Sequence, residues 1–424
     1  FAGTYSITSS SISTTGSSST STSTSSSSST TQGTVTSTST SSTSTSTTTG
    51  GSVVTSTSST TSTSTSSTGS TTGSSSSTCT NFCPIPAPSF SYSFTSPADP
   101  SPAFPTPQYF ASGDTGVSYF PNYDGLKLHI RCYSNPSLTT GNTVILDSGL
   151  PFMSTAWGGF IQALIPQMTS LSVKRVCAFD RHGYGWSDPA PVAFDMYENV
   201  RRLRGALKML NFCPPYVLGG WSWGSIGVQT YAAHWPSEVK GMFTIDGSDV
   251  GVLTDPAWTF SLPFLQDLFS TYITENNNGT LASNTASISN FYGWMIDIPS
   301  VPAPCVSNSH TLFLHPQNRY LTATKQELSV FMQSADHLKQ TYLDSGLTYP
   351  LRNIPFVVFT ATSGGTDWTN RQNTLASLSS QSQHILNDVV DHLVPLKIPS
   401  IIVDVYTALN TLMSTSSPVT ATCL

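Results

Sequence analysis

A serine between two glycines is the residue whose setting most clearly predicts chemistry in this sequence. Segment 220–224 reads GWSWG, with Ser222 at its centre, and fits the pattern G-x-S-x-G. The apolar run 216–218 before it predicts a strand, and the stretch 225–235 after it predicts a helix. In that setting the serine stands on a sharp turn that needs small residues on both sides. We therefore interpret Ser222 as a candidate nucleophile.

A serine hydroxyl is a weak nucleophile until a base removes its proton, so this chemistry requires a histidine that reaches Ser222. The sequence holds eight histidines. Of these, His392 follows the last predicted strand and directly precedes the closing helix, at 401–412. His234 and His337 fall on predicted helices, where surface or packing roles are usual. We predict His392 as the base.

The carboxylate that would orient this histidine has two candidates. Asp246 ends the apolar run 239–245, where packing gives no reason for a carboxylate. Asp367 stands several residues beyond the predicted strand 355–360 and begins a predicted helix, so helix capping is a competing explanation for it. The sequence favours Asp246 and leaves Asp367 as the alternative acid.

Acyl transfer also needs backbone N–H groups aimed at the oxyanion of its tetrahedral intermediate. The amide that follows the nucleophile belongs to Trp223. The buried run 143–146 leads into the loop 147–150, which reads DSGL. Leu150 is the expected second donor, and a plain turn is the alternative interpretation of this loop.

Short apolar runs that alternate with amphipathic stretches predict the frame that carries these residues. The predicted strands lie at 143–146, 173–179, 216–218, 239–245, 355–360 and 383–386, after a hairpin that turns at Asp124-Gly125. Apolar positions spaced by three and four residues predict a helix over 196–210. This order indicates an α/β fold, a mostly parallel sheet with helices on both faces. Residues from about 250 to 350 lack strand signals and predict an inserted helical cap.

The amino-terminal part of the chain has a different composition. Tract 1–78 is almost entirely Ser, Thr and Gly, and no Asp, Glu, Lys or Arg precedes Asp99. Such a tract buries too little apolar surface to offset its chain entropy, which predicts disorder. The tract is interpreted either as an O-glycosylated stalk or as an unmodified flexible tail. The Pro-rich stretch 79–109 predicts an extended linker, which leaves 110–424 as the folded unit.

Seven cysteines are present. Cys79, Cys83, Cys305 and Cys423 fall in predicted loops or near the ends and are candidates for disulfides, whereas Cys177 lies in an apolar strand and is predicted as a buried thiol. The Ser/Thr-rich tract and the N-glycosylation acceptor at Asn278 predict a secreted or cell-surface protein.

The charge pattern argues against several classes of partner. The net charge is −6, and no basic block suggests nucleic acid. The sequence contains no apolar run of about 18 residues, so no membrane span is predicted. Neither a metal-ligand cluster nor a nucleotide-binding glycine loop stands out, so no metal and no cofactor are expected. The sequence leaves the oligomeric state open.

With these pieces in order, residues 119–412 resemble the α/β-hydrolase superfamily, particularly the branch with a DRxGYGWSD segment, here DRHGYGWSD at 180–188. The resemblance also covers loop 147–150, the turn at Ser222 and segment 239–246. Near the end, Trp368 and Gln372 match a helix of that branch, and His392 occupies its histidine position. The resemblance again favours Asp246 over Asp367 as the acid, because Trp368 recurs in the branch while the residue before it varies.

The resemblance also bears on the reaction. Epoxide hydrolases and haloalkane dehalogenases of the superfamily imply an aspartate where this chain has Ser222, so the serine favours acyl transfer to water. The leading expectation is an esterase or lipase-like hydrolase of carboxylic esters whose small-molecule substrate is apolar. The cap segment suggests that polarity, although its aromatic residues equally suit a cap core. These are Trp258, Phe260, Phe264, Phe269, Phe291, Tyr292 and Trp294.

Two other functions remain open at this point. A peptidase of the iminopeptidase or aminopeptidase kind would need an acidic anchor for a substrate amine, which Glu275, Asp297 or Glu327 would supply. A non-catalytic secreted or surface protein that displays the hydrolase fold is the other alternative, because fold alone does not define function. Such a binding protein has no need of both Ser222 and His392.

Overall fold

The computed structural model describes residues 104–284, 287, 300–388 and 390–416. Its strands are β1 Val117–Tyr119, β2 Asn122–Tyr123, β3 Leu126–Lys127, β4 Ile130–Ser134, β5 Asn142–Asp147, β6 Val173–Phe179, β7 Tyr216–Trp221, β8 Val239–Ile245, β9 Phe356–Ala361 and β10 Ser382–Asn387. Its α-helices are α1 Gly158–Leu164, α2 Met196–Met209, α3 Gly224–His234, α4 Pro256–Asn277, α5 Ala303–Phe313, α6 Arg319–Ser329, α7 Phe331–Ser345, α8 Gly365–Ala376, α9 Val394–Lys397 and α10 Ser400–Thr415.

Eight strands form one sheet in the order β1-β4-β6-β5-β7-β8-β9-β10. β4 pairs antiparallel with β1 and β6, and the other pairs are parallel. The predicted hairpin forms two separate strand pairs. β2 and β3 pair on either side of its turn, whereas β1 and β4 pair with each other in the main sheet. The carboxyl ends of parallel strands meet at one edge, which is where such sheets hold their ligands. Ser222 and Asp246 directly follow β7 and β8.

The middle strands of the sheet are apolar at successive positions and do not alternate with polar residues, because both of their faces are buried. Every residue of β5, β7 and β9 is buried, as a sheet covered on both faces requires. Helices α1 and α10 pack together, and α2 and α3 form another pair. The apolar stripe predicted over 196–210 is the buried side of α2, with Val200, Leu203 and Leu207 in the core. The predicted α/β fold class is confirmed.

The insertion between β8 and β9 holds helices α4 to α7 and no strand among its described residues. Its aromatic residues differ in their exposure to solvent. Phe269 is buried, whereas Phe260 and Phe264 are 83% and 59% exposed. Phe291, Tyr292 and Trp294 lie outside the described residues, as does Asp297. In the part of the chain that the structure describes, no helix combines the length and apolarity needed to cross a bilayer.

The end of the predicted linker lies against the folded unit. The Trp186 indole N–H donates to the Pro105 carbonyl at 2.7 Å, and the Asn308 amide donates to the Thr106 carbonyl at 3.1 Å. Tyr109 is fully buried. Residues 104–109 are therefore packed on the fold, upstream of the predicted start at residue 110. Tract 1–78 and the earlier part of the linker lie outside the described residues.

The prediction of a free thiol at Cys177 is wrong, because Cys177 is disulfide-bonded to Cys132. The two residues stand opposite each other on the antiparallel strands β6 and β4, a pairing that the strand order along the sequence does not reveal. Cys305, a predicted disulfide candidate, is free and buried. Cys79, Cys83 and Cys423 lie outside the described residues.

The Cys132–Cys177 bond joins residues 45 positions apart. Replacing both by alanine is expected to lower the free energy of unfolding by about 2–4 kcal/mol, because the denatured chain gains conformational freedom. Chemical denaturation of the variant and of oxidised and reduced wild type measures this loss. Peptide mapping without reductant should recover the two linked peptides. Two alkylatable thiols at these positions in protein purified from an oxidising compartment would contradict the assignment.

Candidate active site

Ser222 stands on the sharp turn between β7 and α3. Its φ of 51° lies in the left-handed region, which residues other than glycine seldom adopt. The turn is also crowded. A Cβ on Gly220 would lie 2.7 Å from the Gly224 carbonyl oxygen, and one on Gly224 would lie 2.3 Å from the Asp147 carbonyl oxygen. Both glycines are therefore required by space, as the motif predicts.

His392 bridges the serine and an acid. Its Nε2 lies 2.9 Å from Ser222 Oγ, and its Nδ1 lies 2.6 Å from Asp246 Oδ2. Asp246 is buried at the end of β8, where its own φ is 45°. The structure thus brings three of the predicted site residues into one chain of hydrogen bonds, in which the imidazole can pass a proton to or from the hydroxyl.

The second oxygen of Asp246 is also held. Its Oδ1 accepts from the Trp368 indole N–H at 2.6 Å and from the Ala361 backbone N–H at 3.0 Å. Sequence reasoning matched Trp368 to a helix and missed its contact with the acid, because that contact joins residues 122 positions apart. Asp367 is exposed in the first turn of α8, where a carboxylate stabilises a helix terminus. The structure does not bring Asp367 to His392.

The loop that carries His392 is fixed on both sides. The Trp221 indole N–H donates to the His392 carbonyl oxygen at 2.9 Å. Asp391 accepts from the Leu393 backbone N–H at 3.0 Å and pairs with Lys397. Burial lowers the pKa of His392, and the hydrogen bond with Asp246 acts in the opposite direction. The lowered pKa favours the uncharged imidazole, which is the form that a general base needs.

The two amides predicted as oxyanion donors flank Ser222. Trp223 follows it in the chain, and Leu150 follows Gly149, where an added Cβ would stand 2.9 Å from Ser222 Cβ. Within the described residues, neither the Leu150 nor the Trp223 backbone N–H has a hydrogen-bond acceptor. Both amides are thus available to an oxygen atom bound beside Ser222.

A cluster of buried charges lies under loop 147–150. Arg181 Nη1 donates to Asp147 Oδ1 at 2.5 Å and to the Ser148 carbonyl at 2.6 Å. Arg181 also forms an ion pair with Glu327 of α6, with Nε 2.8 Å from Oε1. Burial raises the pKa of Asp147 to about 6, although Arg181 opposes the shift. Arg181 belongs to the DRHGYGWSD segment, but these partners are distant in the sequence and were not predicted from it.

The family of the chain follows from its middle part. A model of the alpha/beta hydrolase fold family matches residues 142–392, more than half of the 424 residues. The chain belongs to this family. The match contains Ser222 and Asp246 and ends at His392. The expectation drawn from the DRHGYGWSD segment is confirmed at the level of the superfamily.

Solved structures agree with this fold. The Cfl2 protein of Burkholderia cenocepacia is 17% identical, covers 72% of this chain and 98% of its own, and gives a TM-score of 0.53. A Pseudomonas aeruginosa protein provisionally named an epoxide hydrolase is 14% identical. The match covers 72% of this chain and 99% of that protein, with a TM-score of 0.53. A provisionally named lipase from Acinetobacter baumannii is 16% identical. The match covers 71% of this chain and 92% of that protein, with a TM-score of 0.51. At these identities the likeness shows the fold alone.

A curated relative matches a smaller part. An uncharacterized protein of Schizosaccharomyces pombe is 30% identical over 149 residues, which are 30% of this chain and 28% of that protein. The chain therefore matches less than a third of the relative's length.

The contacts of Asp246 and Asp367 generate a matched test. Asp246→Asn should slow covalent labelling by a fluorophosphonate about 10⁴-fold, the loss typical of removing the acid of a Ser-His-Asp triad. Asp367→Asn should label at the wild-type rate within about twofold, because an exposed helix-terminal carboxylate contributes only modestly to stability. Labelling followed by gel fluorescence measures both. The assignment is wrong if Asp367→Asn is the slow variant.

Proposed function

We propose that this chain is a serine hydrolase that cleaves carboxylic esters through an acyl-enzyme. The observation that carries the proposal is the hydrogen-bonded chain from Ser222 Oγ through His392 to Asp246. A histidine held between a serine hydroxyl and a buried carboxylate is the arrangement that activates a serine for attack on an acyl carbon.

Each residue then has a defined role. Ser222 Oγ attacks the ester carbonyl carbon while His392 Nε2 takes the hydroxyl proton. Asp246 keeps Nδ1 protonated and stabilises the imidazolium that forms. His392 then protonates the departing alcohol as the C–O bond breaks, which leaves the acyl group on Ser222. A water molecule attacks that group with His392 again as base, and the acid product leaves.

The backbone amides of Leu150 and Trp223 are proposed to stabilise the oxyanion of both tetrahedral intermediates. They donate to no other group in the described residues, so an oxyanion need not displace a protein acceptor. Loss of one such donor typically costs about 2.7–4 kcal/mol of transition-state stabilisation. No cofactor is required for this chemistry, because the nucleophile, base and oxyanion donors all come from the chain.

The amine-anchored peptidase has less support from the described residues. Glu275 accepts hydrogen bonds from Asn284 at 2.8 Å and Ser287 at 2.9 Å. Glu327 is buried and paired with Arg181. Both of these candidate anchors are engaged within the protein, which favours an ester substrate without a charged amine. A small apolar ester, presented to the aromatic insertion, is the substrate class we propose.

We also propose that the protein is secreted or displayed at the cell surface. The Cys132–Cys177 disulfide supports this, because such bonds persist mainly in oxidising compartments. The acceptor Asn278 is exposed at the end of α4, where a glycan could be attached. The Ser/Thr-rich tract 1–78 supports the same location through its composition.

Fluorophosphonate labelling of the purified full chain tests the function. Wild type should be labelled, and Ser222→Ala should not, with the adduct found by mass spectrometry on the peptide that contains Ser222. Nitrophenyl esters of increasing acyl length, an aryl epoxide and an amino-acid anilide then separate the substrate classes. Folded wild type that stays unlabelled and hydrolyses none of them would instead support the non-catalytic protein.

The His392 environment predicts the pH dependence. The base must be neutral, and burial lowers its pKa below the ordinary value of about 6.5. Ester hydrolysis should therefore lose activity as the pH falls through a value below about 6.5, where His392 becomes protonated. A profile of kcat/KM against pH on a nitrophenyl ester measures it. An acidic limb centred above pH 7 would contradict this assignment.

A further inference from the structure

Glu327 is a buried carboxylate that the mechanism above leaves without a task. It lies in α6 of the insertion and is 7% exposed. Its Oε2 accepts from the Tyr184 hydroxyl at 2.6 Å and from Arg181 Nη2 at 3.2 Å. Its Oε1 accepts from the Trp223 indole N–H at 3.1 Å. Both oxygens are thus engaged, and each reaches a residue that borders the proposed oxyanion site.

The first connection runs through Trp223. Besides its bond to Glu327, the indole ring stacks on Phe331, with centroids 3.8 Å apart and planes 16° apart. Phe331 in turn stacks on Trp258 at 4.5 Å. Glu327, Phe331 and Trp258 all belong to the insertion. The residue whose backbone N–H is the first proposed oxyanion donor is therefore held by its side chain from the insertion.

The second connection runs through Arg181. Its Nη2 donates to the Gly149 carbonyl at 3.4 Å, and that oxygen also accepts from the Phe152 backbone N–H at 2.7 Å. The Gly149 carbonyl and the Leu150 N–H belong to one planar trans peptide group, in which they point in opposite directions. Holding the carbonyl on the Arg181 side therefore fixes the direction of the Leu150 N–H, the second proposed donor.

We propose that Glu327 is a positioning residue that joins the inserted helices to both oxyanion donors. Its negative charge holds Arg181 against the loop before Leu150, and its hydrogen bond holds the side chain of Trp223. The position of α6 against Arg181 and Trp223 thereby sets the spacing of the two amides around the oxyanion. This inference rests on the proposed function, and Glu327 itself touches neither substrate nor reacting atoms.

Glu327→Gln is the direct test. The amide keeps the shape of the side chain, but it lacks the charge that holds Arg181 and directs an NH₂ group at donors. On a nitrophenyl ester, kcat should fall about tenfold to hundredfold with KM within about threefold of wild type. The Kd of an alkyl boronic acid, which forms a tetrahedral adduct on a serine, should rise by the same factor as kcat falls.

Glu275→Gln is the matched control, since it removes a half-buried carboxylate of the same insertion whose hydrogen-bond partners are Asn284 and Ser287. It should leave kcat and boronate affinity unchanged. Rates are divided by the fraction of molecules that fluorophosphonate titrates, which separates a positioning effect from a loss of folded protein. Trp223→Phe, which keeps an aromatic ring beside Phe331 but lacks the indole N–H, should lower kcat less than Glu327→Gln does. The two effects should be non-additive in the double variant.

The outcomes separate this inference from the proposed function. Wild type that is not labelled at Ser222 would overturn both. Labelled wild type together with a Glu327→Gln variant of unchanged kcat and boronate affinity would overturn the positioning role alone. A raised KM at constant kcat would also overturn it, because that result would make Glu327 part of substrate binding.

Discussion

The left-handed backbone of Ser222 is the constraint on which the site depends. A φ of 51° at a non-glycine residue carries a cost of order 1–3 kcal/mol, and it persists only where the surroundings enforce it. Here they do so, because Gly220 and Gly224 let β7, α3 and the end of β5 approach one another closely. The turn projects the hydroxyl beyond the edge of the sheet towards His392. Asp246, at the end of the neighbouring strand β8, meets the same histidine from the other side. Parallel strands therefore supply the distance and direction that the proposed chemistry needs.

A second layer of contacts keeps this geometry in place. Indole N–H groups from Trp221 and Trp368 hold the His392 carbonyl and the Asp246 carboxylate, so that neither partner depends on the other alone for its orientation. Below loop 147–150, Arg181 is buried between two carboxylates, those of Asp147 and Glu327. Breaking one side of such a buried ion pair is costly, because it leaves an uncompensated charge. The sheet and the inserted helices are thus joined by charge at the point where the oxyanion would form.

The sequence predicted the parts of this arrangement that depend on local pattern. The turn at Ser222 follows from its glycines, the strands from their apolar runs, and His392 from its place after the last strand. What it missed depends on pairing across the fold. The Cys132–Cys177 bond was not predicted, because the sequence does not reveal that β4 lies beside β6. Glu327 was one of three candidate anchors for an amine, and its ion pair with Arg181 depends on the position of α6 in the fold. Residues 104–109 resembled linker because their proline content was visible and their contacts with Trp186 and Asn308 were not.

The most direct test of the central claim is to observe the acyl-enzyme itself. Rapid mixing of the purified chain with excess nitrophenyl acetate, followed by acid quench, would be monitored by nitrophenol release and by mass spectrometry of the digested protein. An acyl-enzyme route with slow deacylation predicts a burst of about one equivalent of nitrophenol per active molecule. The acetyl group should then be found on the peptide that contains Ser222. Steady turnover that leaves Ser222 unmodified, or an acetyl group on another residue that accounts for the burst, would contradict it.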